Sequence, residues 1–343
     1  MKVFVGLSGG VDSATSAALL SQEGHDVTGV FIRIAIDGYP CTAGEDRLDA
    51  MRVAAYLQIP FKEIDLSAEY KQKVFDESIK EFARGRTPNP DTLCNKEIKF
   101  GLFFNWCMSN GAERVATGHY AQIQDGQLYM GADTEKDQSY FLWAVPQEQL
   151  AKTIFPIGHL HKSEVRTLAE KFGLPNAARK DSQGLCFLGP ISVQDMLARE
   201  LAPKPGDVLD ESGKVVGKHD GALLYTLGQR HGFELFAHTP TTLPHYVVAK
   251  DIEHNMITVS TNKFPTNATK TLVTLADTNW IGEHASGNYQ ARYRYRQALI
   301  AARMDGTTLI LNEPHYIPVG QSLVVYDGER CMGGGVVDTT TLK

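Results

Sequence analysis

Three short stretches of this sequence hold residue types that could do chemistry. Ser8-Gly9-Gly10-Val11-Asp12-Ser13 follows the run Val3-Phe4-Val5-Gly6-Leu7 and precedes the small-residue stretch from Ala14 to Leu20. A strand read from the first run and a helix from the last put the glycines where unpaired amides and a positive helix end make an anion site. Glycine lets the backbone curl around oxygens, Ser8 and Ser13 supply hydroxyls, and Asp12 can hold a magnesium ion. No lysine follows the glycines, so this is not a Walker loop. A plain strand-to-helix turn with a serine cap is the alternative, and its place after the first strand of an alternating pattern favours phosphate.

The second and third stretches carry thiols. Cys94 lies in Asn89-Pro90-Asp91-Thr92-Leu93-Cys94-Asn95, at the mouth of a helix expected from about Asn95, with Lys96 and Lys99 nearby. Helix-end amides and cations favour thiolate. Cys186 stands between Gly184 and Gly189, downstream of Arg179 and Lys180, where a thiol could swing. Either cysteine alone reads equally as a small packing residue. Taken together, the stretches make a set: a nucleotide site turns a poor leaving oxygen into an adenylate, one thiol carries sulfane sulfur, and a second releases it by exchange.

These residues need a scaffold, and the chain's pattern supplies one. Buried strands are expected at 2–7, 27–36, 61–66 and 114–117, alternating with helices at 14–20, 46–57, 68–82, 95–109, 146–150 and 162–172. That alternation implies an α/β fold with a doubly wound parallel sheet. Residues 87–91, with Pro88 and Pro90, read as a rigid loop outside regular structure. Beyond about Pro203 the texture turns to short alternating runs between turn signals such as Asp305-Gly306 and Asp327-Gly328. The expected division is a catalytic domain at 1–202, a small β-rich central domain at 203–265 and a C-terminal β-barrel or sandwich at 268–343.

Composition narrows the setting. At 343 residues the chain can bury more than one core, and five cysteines with no Cys-x-x-Cys pair argue against a disulfide framework, a zinc ribbon or an iron–sulfur cluster. A reducing cytoplasm and no membrane association are expected. Cys107 and Cys331 read as packing residues, and Cys41 is given no chemistry. The net charge of −6 removes the bulk signature of a nucleic-acid binder, so any RNA contact must be local. One such patch is Arg292-Tyr293-Arg294-Tyr295-Arg296, which on a strand would line guanidiniums on one face and rings on the other.

The turn from Gly6 to Ser13 resembles that of the PP-loop ATP pyrophosphatases, which adenylate an oxygen and release pyrophosphate. More of the chain is similar to the tRNA-specific 2-thiouridylases. The matching motifs include Cys41-Thr42-Ala43, Thr87 to Cys94 with Ile98-Lys99-Phe100, Thr117-Gly118-His119-Tyr120-Ala121, Lys136-Asp137-Gln138-Ser139, the Cys186 segment, Thr226-Leu227-Gly228-Gln229-Arg230, Arg294-Tyr295-Arg296-Gln297 and Tyr326-Asp327-Gly328-Glu329. The resemblance implies that Gly6, Leu7, Ser8, Gly9, Gly10, Val11, Asp12, Ser13, Ile32 and Gly118 bind ATP. It makes Cys94 the nucleophile, Cys186 the persulfide carrier and Asp91 a candidate acid or base. Asn89, Pro90 and Asp91 would contact the target base, and Lys136, Asp137, Gln138, Arg294 and Tyr295 the tRNA. Ile32-Arg33 replaces the family's usual Met-Lys, which a backbone contact to adenine would tolerate. The sulfur would come from a cysteine desulfurase or a relay protein, and the target would be a wobble uridine splayed from its stack.

Rival readings are another PP-loop synthetase that adenylates a small metabolite, an iron–sulfur thiolase of cytidine, and a non-catalytic RNA-binding module. The first needs no cysteine pair, the second needs cluster ligands, and the third has no use for an intact phosphate turn.

Overall fold

The computed structural model describes residues 1–40, 42–180, 187, 189, 191–237, 243–265 and 267–343. Cys41 and Cys186 therefore lie outside the described residues.

An all-apolar run is suited to a central parallel strand, and β1 (Lys2–Gly6) buries Val3, Phe4 and Val5 on both faces. Phe4 enters one core with Val30, Val115 and Phe104, while Val3 and Val5 enter another with Ala14, Ala17, Val27 and Val53. Strand alternation thus feeds two layers from one segment. Helix α1 (Val11–Gln22) leads to β2 (Asp26–Arg33), and α2 (Ala43–Tyr56) leads to β3 (Phe61–Asp65). With β4 (Arg114–Ala116) and the strand Thr153–Ile154 they form a parallel sheet ordered β3, β2, β1, β4, Thr153–Ile154. The order reverses between β1 and β4, which opens a crevice at the carboxyl ends of those strands. The expected doubly wound sheet is present.

One expectation fails around Pro90. Residues 87–91 are not all loop, because Pro90 opens the helix Pro90–Leu93 and Asn89 Oδ1 caps it by accepting from the Thr92 amide at 3.2 Å. A first helical position has no partner for its N–H, so proline costs nothing there. The helical run continues through the π-helical Cys94–Phe103 and then Phe104–Ser109. Cys94 accordingly sits inside a helix instead of at its mouth, and the helix-end argument for its thiolate does not apply.

The β-rich half forms two sheets. A five-stranded one holds Phe233–Leu235, Val215–His219, Gly206–Leu209, Met256–Ser260 and Tyr246–Asp251 in that order. The other is a barrel of Thr271–Trp280, Thr308–Leu311, Ile300–Asp305, Gly287–Arg292, Ser322–Asp327 and Arg330–Leu342, closed by pairing of its first and last strands. Unforeseen in the sequence, the hairpin of Ala121–Gln124 and Gln127–Met130 leaves the first layer and adds to this barrel, with Arg330 opposite Tyr129 and Cys331 opposite Leu128.

The arginine-tyrosine stretch also departs from expectation. Its strand ends at Arg292, which is buried, and Arg296 takes a left-handed φ of 60° in the turn that follows. Three guanidiniums on one solvent face do not occur, because Arg292 is drawn inward by a buried carboxylate.

Candidate active site

The turn after β1 is shaped by its own hydroxyls. Ser13 Oγ accepts from the Ser8 amide at 3.2 Å and donates to the Gly10 carbonyl at 3.1 Å. From behind, Asn176 Nδ2 and Arg179 Nη1 donate to the Gly9 carbonyl at 2.7 and 3.2 Å. Arg179 is itself held by Asp46 and Asp49 on α2. Gly9 sits at φ 80°, and a Cβ there would meet the Asp46 carbonyl oxygen at 2.5 Å. Gly118, just past β4, is pressed against the same turn, where a Cβ would stand 2.7 Å from the Ser13 nitrogen. Both contacts exclude a side chain, so the turn is held rigid by neighbours that sequence alone does not link to it.

Asp12 is not presented as a metal ligand. Lys162 Nζ donates to its two oxygens at 2.7 and 2.9 Å, and the Tyr120 hydroxyl donates to Oδ1 at 2.8 Å. Its charge is already paired, so a magnesium ion at Asp12 would have to displace Lys162 from both carboxylate oxygens.

The turn faces a cavity of about 580 Å³ lined by Gly6 to Ser8, Gly10 to Ser13, Ile32, Gly118, Asp91 and Lys136, among others. Val30, Ile32, Phe103 and Thr117 give one wall that is largely apolar, while Lys99, Lys136, Lys180 and Arg296 bring cations to the rest. Among the described residues the carboxylates of this lining are Asp12 and Asp91, and Asp12 is paired with Lys162. An acidic protein thus gathers several cations around one cavity, an arrangement suited to a polyphosphate. Lys99 Nζ donates to His119 Nε2 at 3.4 Å, and Thr117 Oγ1 lies 2.7 Å from Nδ1. Burial first, and the Lys99 charge second, push the His119 pKa well below its usual range, so the ring is neutral and accepts from the lysine.

A second cavity of about 830 Å³ adjoins the first, lined by Thr87 to Pro90, Tyr140, Thr226 to His231, Lys263, Arg294 and Gln321. Phe141 and Tyr295 line both, and their rings meet at 4.8 Å with an angle of 41°. Asn89 and Pro90 face the second cavity and Asp91 the first, so one short segment spans the boundary. Cys94 follows one helical turn later, carries a free thiol and is 0% exposed, packed in the core with Ile98, Phe103 and Phe104. Cys186, its expected partner, lies outside the described residues, and Phe187 next to it lines the first cavity.

Lys136, Asp137 and Gln138 separate. Lys136 and Gln138 line the first cavity, whereas the Asp137 carboxylate turns inward to Arg292, the Ser139 hydroxyl and the amides of Gly131 and Ser139. Gln138 Oε1 accepts from the Tyr120 amide at 3.0 Å.

Residues 1–190 match the family model described as tRNA methyl transferase HUP domain, 194–261 the tRNA methyl transferase PRC-barrel domain, and 270–337 the aminomethyltransferase beta-barrel domain. A protein of Nitrosomonas eutropha named tRNA-specific 2-thiouridylase MnmA is 42% identical over 354 residues, covering 98% of each chain. The protein of the same name from Chromobacterium violaceum is 43% identical, covering 98% of this chain and 92% of its own. The chain belongs to the tRNA-specific 2-thiouridylase family. Among solved structures, a 4-thiouridine synthetase–RNA complex with bound ATP aligns at a TM-score of 0.36 and 17% identity over 56% of this chain and 46% of its own, a likeness too distant to bear on function.

Within this 2-thiouridylase the sequence reading missed several residues that shape the site. Lys162, Asn176 and Arg179 lie far along the chain from the turn they brace, and nothing in their local pattern points to it. His119 sits inside a quoted motif, yet only the fold reveals its pairing with Lys99.

Proposed function

We propose that this chain is a tRNA 2-thiouridylase that uses ATP to adenylate the C2 oxygen of a wobble uridine and then replaces that oxygen with sulfur. The observation that carries the reading is the junction at Phe141 and Tyr295, where a phosphate-type turn and its cationic cavity open onto a larger groove shared with the barrel. A base splayed from RNA held in the groove has a route to the nucleotide.

In this reading the ATP site comprises Gly6 to Ser13, with Ile32 and Gly118 along the nucleotide. Asn89, Pro90 and Asp91 take the target base, and Lys136, Gln138, Arg294 and Tyr295 meet the tRNA. Asp137 serves the same loop from within. The three parts are residues 1–202 for catalysis, 203–265 as the central domain and 268–343 as the RNA-reading barrel.

The uridine C2 oxygen attacks the α-phosphorus and pyrophosphate leaves. Cys186 holds the incoming sulfur as a persulfide received from a cysteine desulfurase or a relay protein. Cys94 attacks the inner sulfur, forming a Cys94–Cys186 disulfide and expelling hydrosulfide, which adds to C2 as AMP departs with the oxygen. A cytoplasmic thiol reductant returns the disulfide to two thiols. The buried position of Cys94 means that the side chains packed over it must part before it reacts.

Two measurements test this. Pyrophosphate release from ATP should depend on added unmodified tRNA, and wobble uridines in tRNA from a deletion strain should lose their C2 sulfur while other thiolated positions keep theirs. Release driven by a small carboxylate without tRNA, or a deletion strain with fully thiolated wobble uridines, would overturn it.

A further inference from the structure

Arg296 belongs to the barrel's sequence but lines the nucleotide-side cavity, beside Lys136, Gln138 and Tyr295. Its backbone takes φ 60°, a region that a residue with a Cβ seldom occupies and that persists only where surroundings enforce it. Those surroundings are visible. Arg296 Nε donates to the Glu135 carbonyl at 2.8 Å, and the guanidinium lies 5.1 Å over the Tyr295 ring. Tyr295 is in turn packed on Phe141.

The remaining edge of the guanidinium is uncommitted. Among the described residues its two terminal nitrogens make no hydrogen bond or ion pair. A planar fork with one nitrogen anchored, one face stacked and the outer edge presented to a cation-lined cavity is arranged to take an oxyanion in bidentate fashion. Lysine could not reproduce this, since it offers a point charge with no face to stack.

We propose that Arg296 contacts a phosphate group in the assembled enzyme, so that the barrel contributes directly to the site where ATP is used. This rests on the reading of the smaller cavity as the nucleotide site and of the groove as the RNA site. Two phosphates meet that chemistry: one of the nucleotide, or the backbone phosphate flanking the splayed uridine. The stacked Tyr295 spans the junction of the two cavities, which makes either reachable from the same anchor.

The test uses the full chain with Arg296→Gln, Arg296→Lys and Arg296→Gly. Glycine relieves the left-handed backbone, so its variant should not melt earlier than wild type and separates contact loss from misfolding. ATP affinity is measured by equilibrium dialysis without RNA, and affinity for unmodified tRNA by filter binding across a salt series. Loss of a charge-assisted bidentate contact should weaken one ligand by about tenfold or more in the glutamine and glycine variants, with lysine in between. Weaker ATP binding assigns the contact to the nucleotide. Weaker tRNA binding, with the salt slope reduced by about 1, assigns it to RNA. Wild-type affinities and salt slope in all three variants would overturn the proposal. A wild-type protein that bound neither ATP nor tRNA would instead defeat the functional reading beneath it.

Discussion

Asp137 and Arg292 form an ion pair inside the protein, 1% and 3% exposed, that joins the loop carrying Lys136 and Gln138 to the last residue of the barrel strand Gly287–Arg292. Burying two charges is costly, and removing one partner leaves the other without compensation. Arg292→Met should therefore cost about 3–5 kcal/mol by urea denaturation, far more than an exposed pair would. Asp137→Asn should cost a similar amount, because it keeps the bonds from the Gly131 and Ser139 amides but leaves the Arg292 guanidinium buried without its counter-charge. A cost for Arg292→Met within the scatter of surface substitutions would contradict the account of a structural strut.

Gly118→Ala tests how closely the turn is supported. The new Cβ would stand 2.7 Å from the Ser13 nitrogen and 2.8 Å from the Asp12 carbonyl carbon, both backbone atoms that can yield only by moving the turn. Overpacking of that kind costs about 1–3 kcal/mol. ATP affinity, measured by equilibrium dialysis, should fall about tenfold or more while circular dichroism stays native, and unchanged affinity would mean that the turn is more pliable than its bracing suggests.

The thiols should sort by environment. Cys107 and Cys331 are buried where desolvation pushes each pKa up to about 12, so neither ionises near neutrality. Cys107→Ala and Cys331→Ala should keep tRNA thiolation, at some cost in melting temperature for lost packing. Cys94→Ser and Cys186→Ser should abolish thiolation, read by mass spectrometry of the nucleosides, with tRNA affinity nearly intact. Thiolation surviving in both serine variants would end the two-thiol scheme.

Acid sensitivity should trace partly to His119. Its folded-state pKa lies well below the ordinary value of 6.5 because the ring is buried and Lys99 is adjacent. The unfolded chain therefore gains a proton that the folded chain refuses, and stability falls as pH drops below about 6.5. His219 and His315 are shifted the same way by burial and add to the slope. Denaturation midpoints compared at pH 7.5 and 5.5 should show a smaller drop for His119→Gln than for wild type. An equal drop would place the acid sensitivity elsewhere.

Much of the first layer was legible because its signals are local. The run from Val3 to Leu7, the glycines after it and the return of apolar residues at Val27 dictate strand, turn, helix and strand without help from distant segments. The pattern around Pro90 is ambiguous because a proline that breaks a helix internally also suits its first position, and the choice depends on whether Asn89 can cap. Arg292 departs from the alternating pattern because such a pattern says which side chains share a face but not whether a buried carboxylate awaits one of them. The bracing of the phosphate turn by Asn176 and Arg179 spans most of the first layer and leaves no periodic trace.

The hairpin at 121–130 carries a consequence for how such an enzyme can be taken apart. Its second strand pairs with Arg330 and Cys331 at the start of the barrel's last strand, so part of the barrel's margin is covered by a piece of chain encoded some two hundred positions earlier. Severed from that piece, the barrel would present bare amides and carbonyls along a sheet margin, an invitation to self-association. The first layer and the barrel are thus woven through a shared fabric instead of hinged, and any motion at their junction must come from loops.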